Sequence, residues 1–559
     1  MTLYRKTRKL FTKPNLFMQD FLSKRGVNFN SKLRAPSHSN IKIMPVAIKD
    51  SPTDKSKVTI IKTANSKKIY SRVALDDAGE TFYARLNECC KNMSMPFMTG
   101  AAPDKWMHAF HINHTDMQLF SRIMDFWFSD NENYFISYKK NTYSIKEAIS
   151  RKDFYAQGNF DILCVEKEHH DSASNTKVYY SSIIHVVTWK KLDNYSSESV
   201  YSISEKNKYI HRLRAPAFEA HMKNHIKIDD DDNVSDIAFP IDVVYTWVDG
   251  NDNKWKEQKE MFSAVDQEIA IDNIESDENA GRAYSDERFR NRDELLYSLR
   301  SLEMYAPFVR NIFIVTCGQK PEWLSETSPK IKLVNHSDIY SNLDNLPTFN
   351  SSGIETQLHH IKELSEHFLY LNDDFMFADF CTPDDFFYPN GILKFFPSEA
   401  RAYEHDIDDS REEYIVADRN AINLLSSCSN KKSRMIMKHA PYPCSKSYLY
   451  ELENRFSKEF KTCAANRFRS ITDLRPIAFM QYNFGYHESK AIQSDISNRY
   501  LALYKDSIKA QLNGVFVTRK YKTICINDVG ITDDKIEQTN ELTRDFLESY
   551  FPFKSSFEK

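Results

Sequence analysis

The sequence predicts an α/β protein: a Rossmann-like, mostly parallel sheet in the C-terminal two-thirds, preceded by an α+β accessory region. Beyond residue 236, runs of β-branched and aromatic residues alternate with amphipathic helical stretches, the pattern of βαβ crossovers. One such run, His367-Phe-Leu-Tyr-Leu-Asn-Asp-Asp-Phe-Met-Phe377, reads as a short buried strand that opens onto two adjacent aspartates. Between about 58 and 225, short strands mix with helices and carry no chemical motif.

The chain of 559 residues has material for two or more domains, and 38 Phe and 30 Tyr give it a globular composition. A net charge of −3 gives no global basic field, so nucleic acid is not an expected partner. With 12 Gly and no glycine-rich phosphate motif, any phosphate must be held by metal, Arg, Lys or His. The nine cysteines form no C-x-x-C pair and read as reduced thiols of a cytosolic protein, with no zinc site. No apolar run has the length of a membrane span, and no signal peptide is visible.

Taken in order, residues 1–34 hold nine Lys or Arg against one acid, Asp20, with Leu, Tyr and Phe interleaved. Such a basic amphipathic segment suits an anionic membrane surface; the plainer reading is a solvated tail. Residues 35–57, rich in Pro, Ser and Lys, read as a linker, and 58–235 as an accessory domain. Strands are expected at Val58–Lys62, Phe160–Val165 and Val178–Trp189, and a helix at Met117–Phe128. The loose group Trp106, His108, His111 and His114 fits a structural role better than a ligand set.

From 236 to 530 the expected strands are Ile241–Gly250, Asn311–Thr316, Lys330–Val334 and the Phe368 run. Expected helices are Arg292–Tyr305 and Ser352–Leu364, the second carrying Glu355, His359 and His360. Residues 531–559 are expected to be a terminal helix and tail. In such a sheet, ligands bind at the carboxyl ends of the strands, here near Trp247–Asp249, Thr316–Gly318 and Asn372–Asp374. Burying Asp373 beside Asp374 is costly unless a cation pairs with them. A divalent ion answers that cost; an Asx turn is the alternative. Arg288, Arg290 and Arg292 precede the first crossover helix, whose N-terminal amides favour anions. Asp293 and Glu294 fit first-turn dipole complementation as readily as chemistry.

Three stretches, IDVVYTWVDG, RNRDELLYSLRSLEMYAPFVRNIFIVTCGQKPEWL and LPTFNSSGIETQLHHIKELSEHFLYLNDDFMF, resemble signature regions of the Stealth family. A fourth likeness lies in 438–473 (KHAPYPCSKSYLYELENRFSKEF…NRFRSITD), and CINDVG at 525–530 resembles the last region. That family includes capsular polysaccharide hexose-1-phosphate transferases and the lysosomal-enzyme N-acetylglucosamine-1-phosphotransferase. The long N-terminal extension makes the chain look most like the capsule polymerases.

The resemblance implies a UDP-N-acetylhexosamine donor, a capsular oligo- or polysaccharide acceptor, Mg²⁺ (or Mn²⁺), and release of UMP. It also implies a place on the inner face of a bacterial cytoplasmic membrane, beside capsule assembly and export proteins. By likeness, Asp373 and Asp374 form the acidic pair, with Asp374 the essential carboxylate, and Asn527 and Asp528 complete the metal site. His439 matches the family's catalytic histidine, and Arg469 an arginine suited to the pyrophosphate. Thr246, Trp247, Asp249, Arg292, Glu294, Arg300 and His359, from the matching segments, are expected around the donor. Asp249 departs from the Asn or Ser of relatives. The competing readings are a metal-dependent glycosyltransferase that releases UDP, and a non-catalytic glycan-binding scaffold.

Overall fold

Strand β1, Ile241–Thr246, lies at the centre of the sheet that organises the C-terminal part of this computed structural model. The structure describes residues 67–559 except 75–76, 157, 193–198, 206, 229–232, 272–288, 326, 403–412, 429–433, 529 and 533–534. The expected basic segment, the linker and the Val58–Lys62 strand lie outside the described residues.

After β1 come β2 (Val309–Thr316), β3 (Ile331–Asn335), β4 (His367–Asn372), β5 (Phe375–Phe377) and β6 (Tyr442–Ser445). The five-stranded sheet runs β3-β2-β1-β4-β6. Its first four strands are parallel, and β6 pairs antiparallel with β4. Valines, isoleucines and aromatics covered on both faces make β1, β2 and β4 nearly continuous apolar runs, as a doubly covered parallel sheet requires. The Rossmann-like expectation therefore holds.

The chain lays β2 and β3 on one side of β1 and β4 on the other, so the order reverses between β1 and β4. That reversal opens a crevice at their carboxyl ends, where Thr246 stands in register with Asn372. Helix α1, Glu294–Tyr305, follows a helix at Asn253–Ile271 in the crossover from β1 to β2 and starts within two residues of expectation. It is tied down at Ser298, whose hydroxyl donates to the Phe375 carbonyl at 2.5 Å, and at Ser301, which accepts from the Phe377 amide at 3.0 Å.

The expected helix Ser352–Leu364 is a correction. It is only the short α2, Ser351–Glu355, followed by a 3₁₀ turn at Leu358–His360. Asn350 caps α2 through the Ser352 amide, and the Thr356 hydroxyl donates back to the Gly353 carbonyl at 2.6 Å, which closes the helix after one turn. Later come α3 (Lys446–Arg455), β7 (Asn498–Ala502), β8 (Thr523–Asn527) and α4 (Ile536–Tyr550). The strands β5, β8 and β7 form a small second sheet, with Phe375 opposite Cys525.

Residues 67–228 build a separate ten-stranded sheet, of which Phe160–Asp171 and Thr176–Leu192 are the longest strands. The helix expected over Met117–Phe128 is present with those bounds. His111 is structural, as read: its Nε2 donates to the Gly100 carbonyl at 2.8 Å while its Nδ1 accepts from the Trp189 indole at 3.1 Å. This region is not packed as an independent body. Ile69, Val178 and Tyr180 belong to the same apolar core as β1, β2 and β4. Residues 531–559 are likewise no loose tail, since Leu547, Tyr550 and Phe551 are buried in that core. The reason is composition: the final segment carries too many large apolar side chains to remain in water.

Candidate active site

The crevice between β1 and β4 is built from residues scattered over nearly 300 positions. At the end of β4 the chain turns through Asp373 and Asp374 into β5. Because β5 pairs with β8, the Ile526 amide donates to the Asp374 carbonyl at 3.1 Å. Asn527 and Asp528, which end β8, are thereby delivered beside the acidic pair. From the other side, α1 presents its first turn. Asp293 sits in the left-handed region at φ +64°, and the Glu294 carboxylate accepts from the Arg292 amide at 2.7 Å. The helix start thus aims both Glu294 and Arg292 inward.

The outcome is four carboxylates close enough to act on one another's charge: Glu294, Asp373, Asp374 and Asp528. Burial first, and then Glu294, Asp374 and Asp528, push Asp373 well above the ordinary carboxylate range. Burial raises Asp374 to about 7; the hydrogen bond from the Cys525 thiol pulls it down, and Glu294 and Asp528 add smaller upward pushes. That thiol donates to Asp374 Oδ2 at 3.3 Å, while Oδ1 is buried without a hydrogen-bond partner. Glu294 is raised by burial as well.

Partial compensation comes from arginine. Arg292 Nη1 lies 2.5 Å from Asp528 Oδ2 and 3.6 Å from Glu294, and its Nε donates to Asn540. Arg290 reaches the same Asp528 oxygen at 3.8 Å. Arg290 Nη1 and Arg292 Nη2 have no hydrogen-bond partner. Two guanidinium edges thus face a site with one orphaned carboxylate oxygen, an arrangement that fits a cation together with an anionic oxygen donor.

Asp373, Asp374, Asp528 and Asn527 supply hard oxygen ligands, the set suited to Mg²⁺ or Mn²⁺. Among the described residues, no three of these carboxylates bring their oxygens within 4.8 Å of one another. Mg²⁺ held by these residues would complete its shell with water and substrate phosphate oxygens.

The second wall lies on the β6 side. The His439 ring is 6.1 Å from that of Phe375, the residue after Asp374, and 5.0 Å from that of Tyr500 on β7. Its backbone carbonyl accepts from the Asn498 side chain at 2.8 Å. Burial, with the nearby Arg475 cation adding to it, lowers His439 to about 4, so the ring is neutral at physiological pH. Arg475 is itself buried and paired with Asp418 at 3.1 and 3.2 Å.

Arg469 donates to the Ser351 hydroxyl at 3.2 Å, at the start of α2. At the far end of α2, burial lifts Glu355 to about 7, with Arg475 and Arg469 pulling the other way; its Oε2 is buried without a hydrogen-bond partner. Tyr370 joins the two walls: both Glu355 and Asp373 act on it, and its hydroxyl lies 3.1 Å from Thr246 Oγ1.

The structure therefore gathers Thr246, Arg292, Glu294, Asp373, Asp374, Asn527 and Asp528 around one crevice, with His439 and Arg469 on its second wall. Trp247 is buried just past β1. Three expectations change. Arg300 does not face the donor crevice; its guanidinium grips Glu558 at 2.8 and 2.7 Å and the Phe551 carbonyl at 3.1 Å, fastening the C-terminal segment to α1. Asp249 caps its own loop, accepting from the Asn251 amide at 3.0 Å. The neighbouring Gly250 is there for space, since a Cβ would sit 2.0 Å from the Phe289 carbonyl oxygen. His359 turns to Glu453 on α3, at 2.8 Å.

Arg475 and Asp418 are additions that sequence reading missed. Arg475 lies six positions beyond Arg469, just past the 438–473 likeness, and Asp418 lies in none of the quoted stretches.

Comparison with known proteins agrees with this arrangement. Models of the four conserved regions of the Stealth proteins match in order: region 1 at 239–264, region 2 at 288–395, region 3 at 438–484 and region 4 at 515–559. An exopolysaccharide phosphotransferase of Streptomyces coelicolor is 38% identical over 324 residues, 58% of this chain and 58% of that protein. The capsular polysaccharide phosphotransferase SacB of Neisseria meningitidis serogroup A is 33% identical over 349 residues, 61% of each. The chain thus spans about three-fifths of the length of these relatives. A crystallised galactosyltransferase, LgtC with donor and acceptor sugar analogues, aligns over 55% of this chain and 95% of its own at 8% identity, with a TM-score of 0.27, too low for any conclusion. Apart from β7 and Asp418, the crevice elements described above fall within these matches, and the chain carries all four conserved regions of the Stealth proteins, in order.

Proposed function

We propose that this protein transfers a sugar-1-phosphate from a UDP-sugar, an N-acetylhexosamine derivative, to a hydroxyl of a growing capsular polysaccharide. The observation that carries this reading is the juxtaposition of Asp373, Asp374 and Asp528 with Arg290 and Arg292 at the β1/β4 crevice. Carboxylates and guanidinium groups together are what a metal-bound diphosphate needs, whereas a neutral glycan alone needs neither.

In this reading Asp373, Asp374, Asp528 and Asn527 hold Mg²⁺, which when bound neutralises charge on the diphosphate oxygens. Arg290, Arg292 and Arg469 bind and orient those oxygens through planar, bidentate N–H groups. His439, kept neutral by burial, offers a lone pair to the acceptor hydroxyl. The hydroxyl oxygen forms a bond to the β-phosphorus as its proton passes to the imidazole. The bond from the β-phosphorus to the bridging oxygen breaks, and UMP leaves with that oxygen.

The test identifies the nucleotide product. With UDP-N-acetylhexosamines, an oligosaccharide acceptor and Mg²⁺, UMP is expected in step with phosphodiester formation. UDP in its place would make the protein a glycosyltransferase, and no turnover with any donor would leave a glycan-binding scaffold.

We place the protein on the cytoplasmic face of a bacterial inner membrane, near capsule assembly and export proteins. Among the described residues no helix is long and apolar enough to cross a membrane. Residues 1–34 supply nine basic groups, each contributing on the order of 1 kcal/mol near an anionic surface. Deleting them is expected to abolish sedimentation with anionic vesicles at low salt and to spare transfer to a soluble acceptor. Equal sedimentation of the truncated and full chains would move the anchor elsewhere.

A further inference from the structure

A second cluster of ligand-type side chains lies apart from the carboxylates. On the 3₁₀ turn Leu358–His360, the Nε2 atoms of His359 and His360 both point at one oxygen of Glu453 on α3, Oε2, at 2.8 and 3.0 Å. Among the described residues this is the one trio of His, Cys, Asp or Glu whose ligand atoms all lie within 4.8 Å of one another. His359 is fully buried, and Glu453 and His360 retain 25% and 19% side-chain exposure, so the cluster has a wet side. The other nitrogen of His360, Nδ1, donates to the Ile339 carbonyl at 2.9 Å. That bond fixes the ring's tautomer with Nε2 facing Glu453, the support that metal-binding histidines ordinarily receive.

We propose that His359, His360 and Glu453 form a Zn²⁺ site, distinct from the oxygen-ligand crevice, that clamps the turn after α2 onto α3. Two imidazoles and a carboxylate are a donor set for zinc rather than for Mg²⁺, which prefers oxygen throughout. Ligand atoms of a tetrahedral site with bonds of about 2.0–2.1 Å stand about 3.4 Å apart, so the trio opens by roughly 0.5 Å to admit the ion. The exposed side leaves the fourth position to water.

Without metal the same atoms must be bridged by protons. Because His360 Nδ1 already donates, its contact with Glu453 requires a second proton on Nε2. Burial, which would lower His360, is outweighed by the Glu453 hydrogen bond, and the ring is raised; the two histidines hold Glu453 down to about 2. Zinc would displace the His360 Nε2 proton to solvent and shift the His359 proton from Nε2 to Nδ1. One proton is released for each ion bound. The histidines are adjacent in the chain and Glu453 is more than 90 residues away, so the ion would cross-link segments on either side of β4.

The test uses the full chain, dialysed against chelator and titrated with Zn²⁺ alone. One equivalent is expected to bind, with a rise in Tm of about 2–4 °C. Glu453→Gln and His360→Ala should each lose both the binding and the shift, and Asp374→Asn should keep them. Mg²⁺ should not reproduce the shift in the Asp374→Asn protein. Absence of stoichiometric zinc in the wild type overturns the proposal. So does binding retained in Glu453→Gln or His360→Ala, or binding lost in Asp374→Asn, which would put the ion among the aspartates. Should His360→Ala fail to fold, Glu453→Gln decides alone.

Discussion

Replacing Asp374 with Asn is expected to abolish turnover and, at pH 8 without divalent cation, to raise the melting temperature. The two effects share a cause. Asp374 sits beside Asp373, and burial, with Glu294 and Asp528 adding to it, lifts it from 3.8 to about 7. A carboxyl raised in the folded state favours folding fully only below its unfolded value. That contribution is lost as pH rises from about 4 through about 7, so above neutrality the metal-free cluster repels itself. Asn keeps the shape and still accepts from the Cys525 thiol, but it carries no charge. The variant should therefore gain stability most at pH 8 and hardly at all near pH 4.

The rate should fall roughly 10³-fold, the order of about 4 kcal/mol of lost transition-state stabilisation. Mg²⁺ should stabilise the wild type more at pH 8 than at pH 6, because the ion must displace protons at the lower pH, and should stabilise Asp374→Asn less at both. Thermal melts at three pH values, with and without Mg²⁺, measure this. A variant that melts below the wild type at pH 8 would show that Asp374 supports the fold instead of straining it.

His439→Ala should lower kcat by about 10² to 10⁴-fold, the usual worth of a positioned general base, with a smaller change in donor KM. The fold should survive, because the contact of this residue with Asn498 runs through its backbone carbonyl, which substitution leaves in place. The ring is lowered to about 4 by burial and by Arg475, so protonation of His439 should not slow the free enzyme between pH 8 and pH 6. His439→Gln should be as inactive as the alanine variant, since an amide fills the space but takes no proton. Activity within tenfold of wild type in either variant would remove this histidine from the proton path.

The local chemistry of the sheet was legible in the chain itself. Ile241–Thr246, Asn311–Thr316 and the Phe368 run are apolar enough, and bounded sharply enough, to be buried parallel strands whichever way they pack. The adjacent Asp373 and Asp374 at a strand end raised a cation as one of two readings, beside an Asx turn, for the same local reason, the cost of burying paired charge. The motif likeness added His439, Arg469 and Asp528, whose roles no periodicity could have suggested.

Helix spacing overreached at Ser352–Leu364, because one hydroxyl returning to the Gly353 carbonyl ended the helix early. His359, on the turn after that break, meets Glu453, and sequence spacing cannot see a partner 94 positions off. Arg300 was misplaced for a similar reason: its helix gave it an address, but Glu558, brought back by the burial of Tyr550 and Phe551, gave it an occupant. The sequence alone determined which segments become strands and which residues carry charge at their ends. Only the tertiary structure decided which charges meet, because a guanidinium or a carboxylate takes its role from the partner that burial leaves within reach.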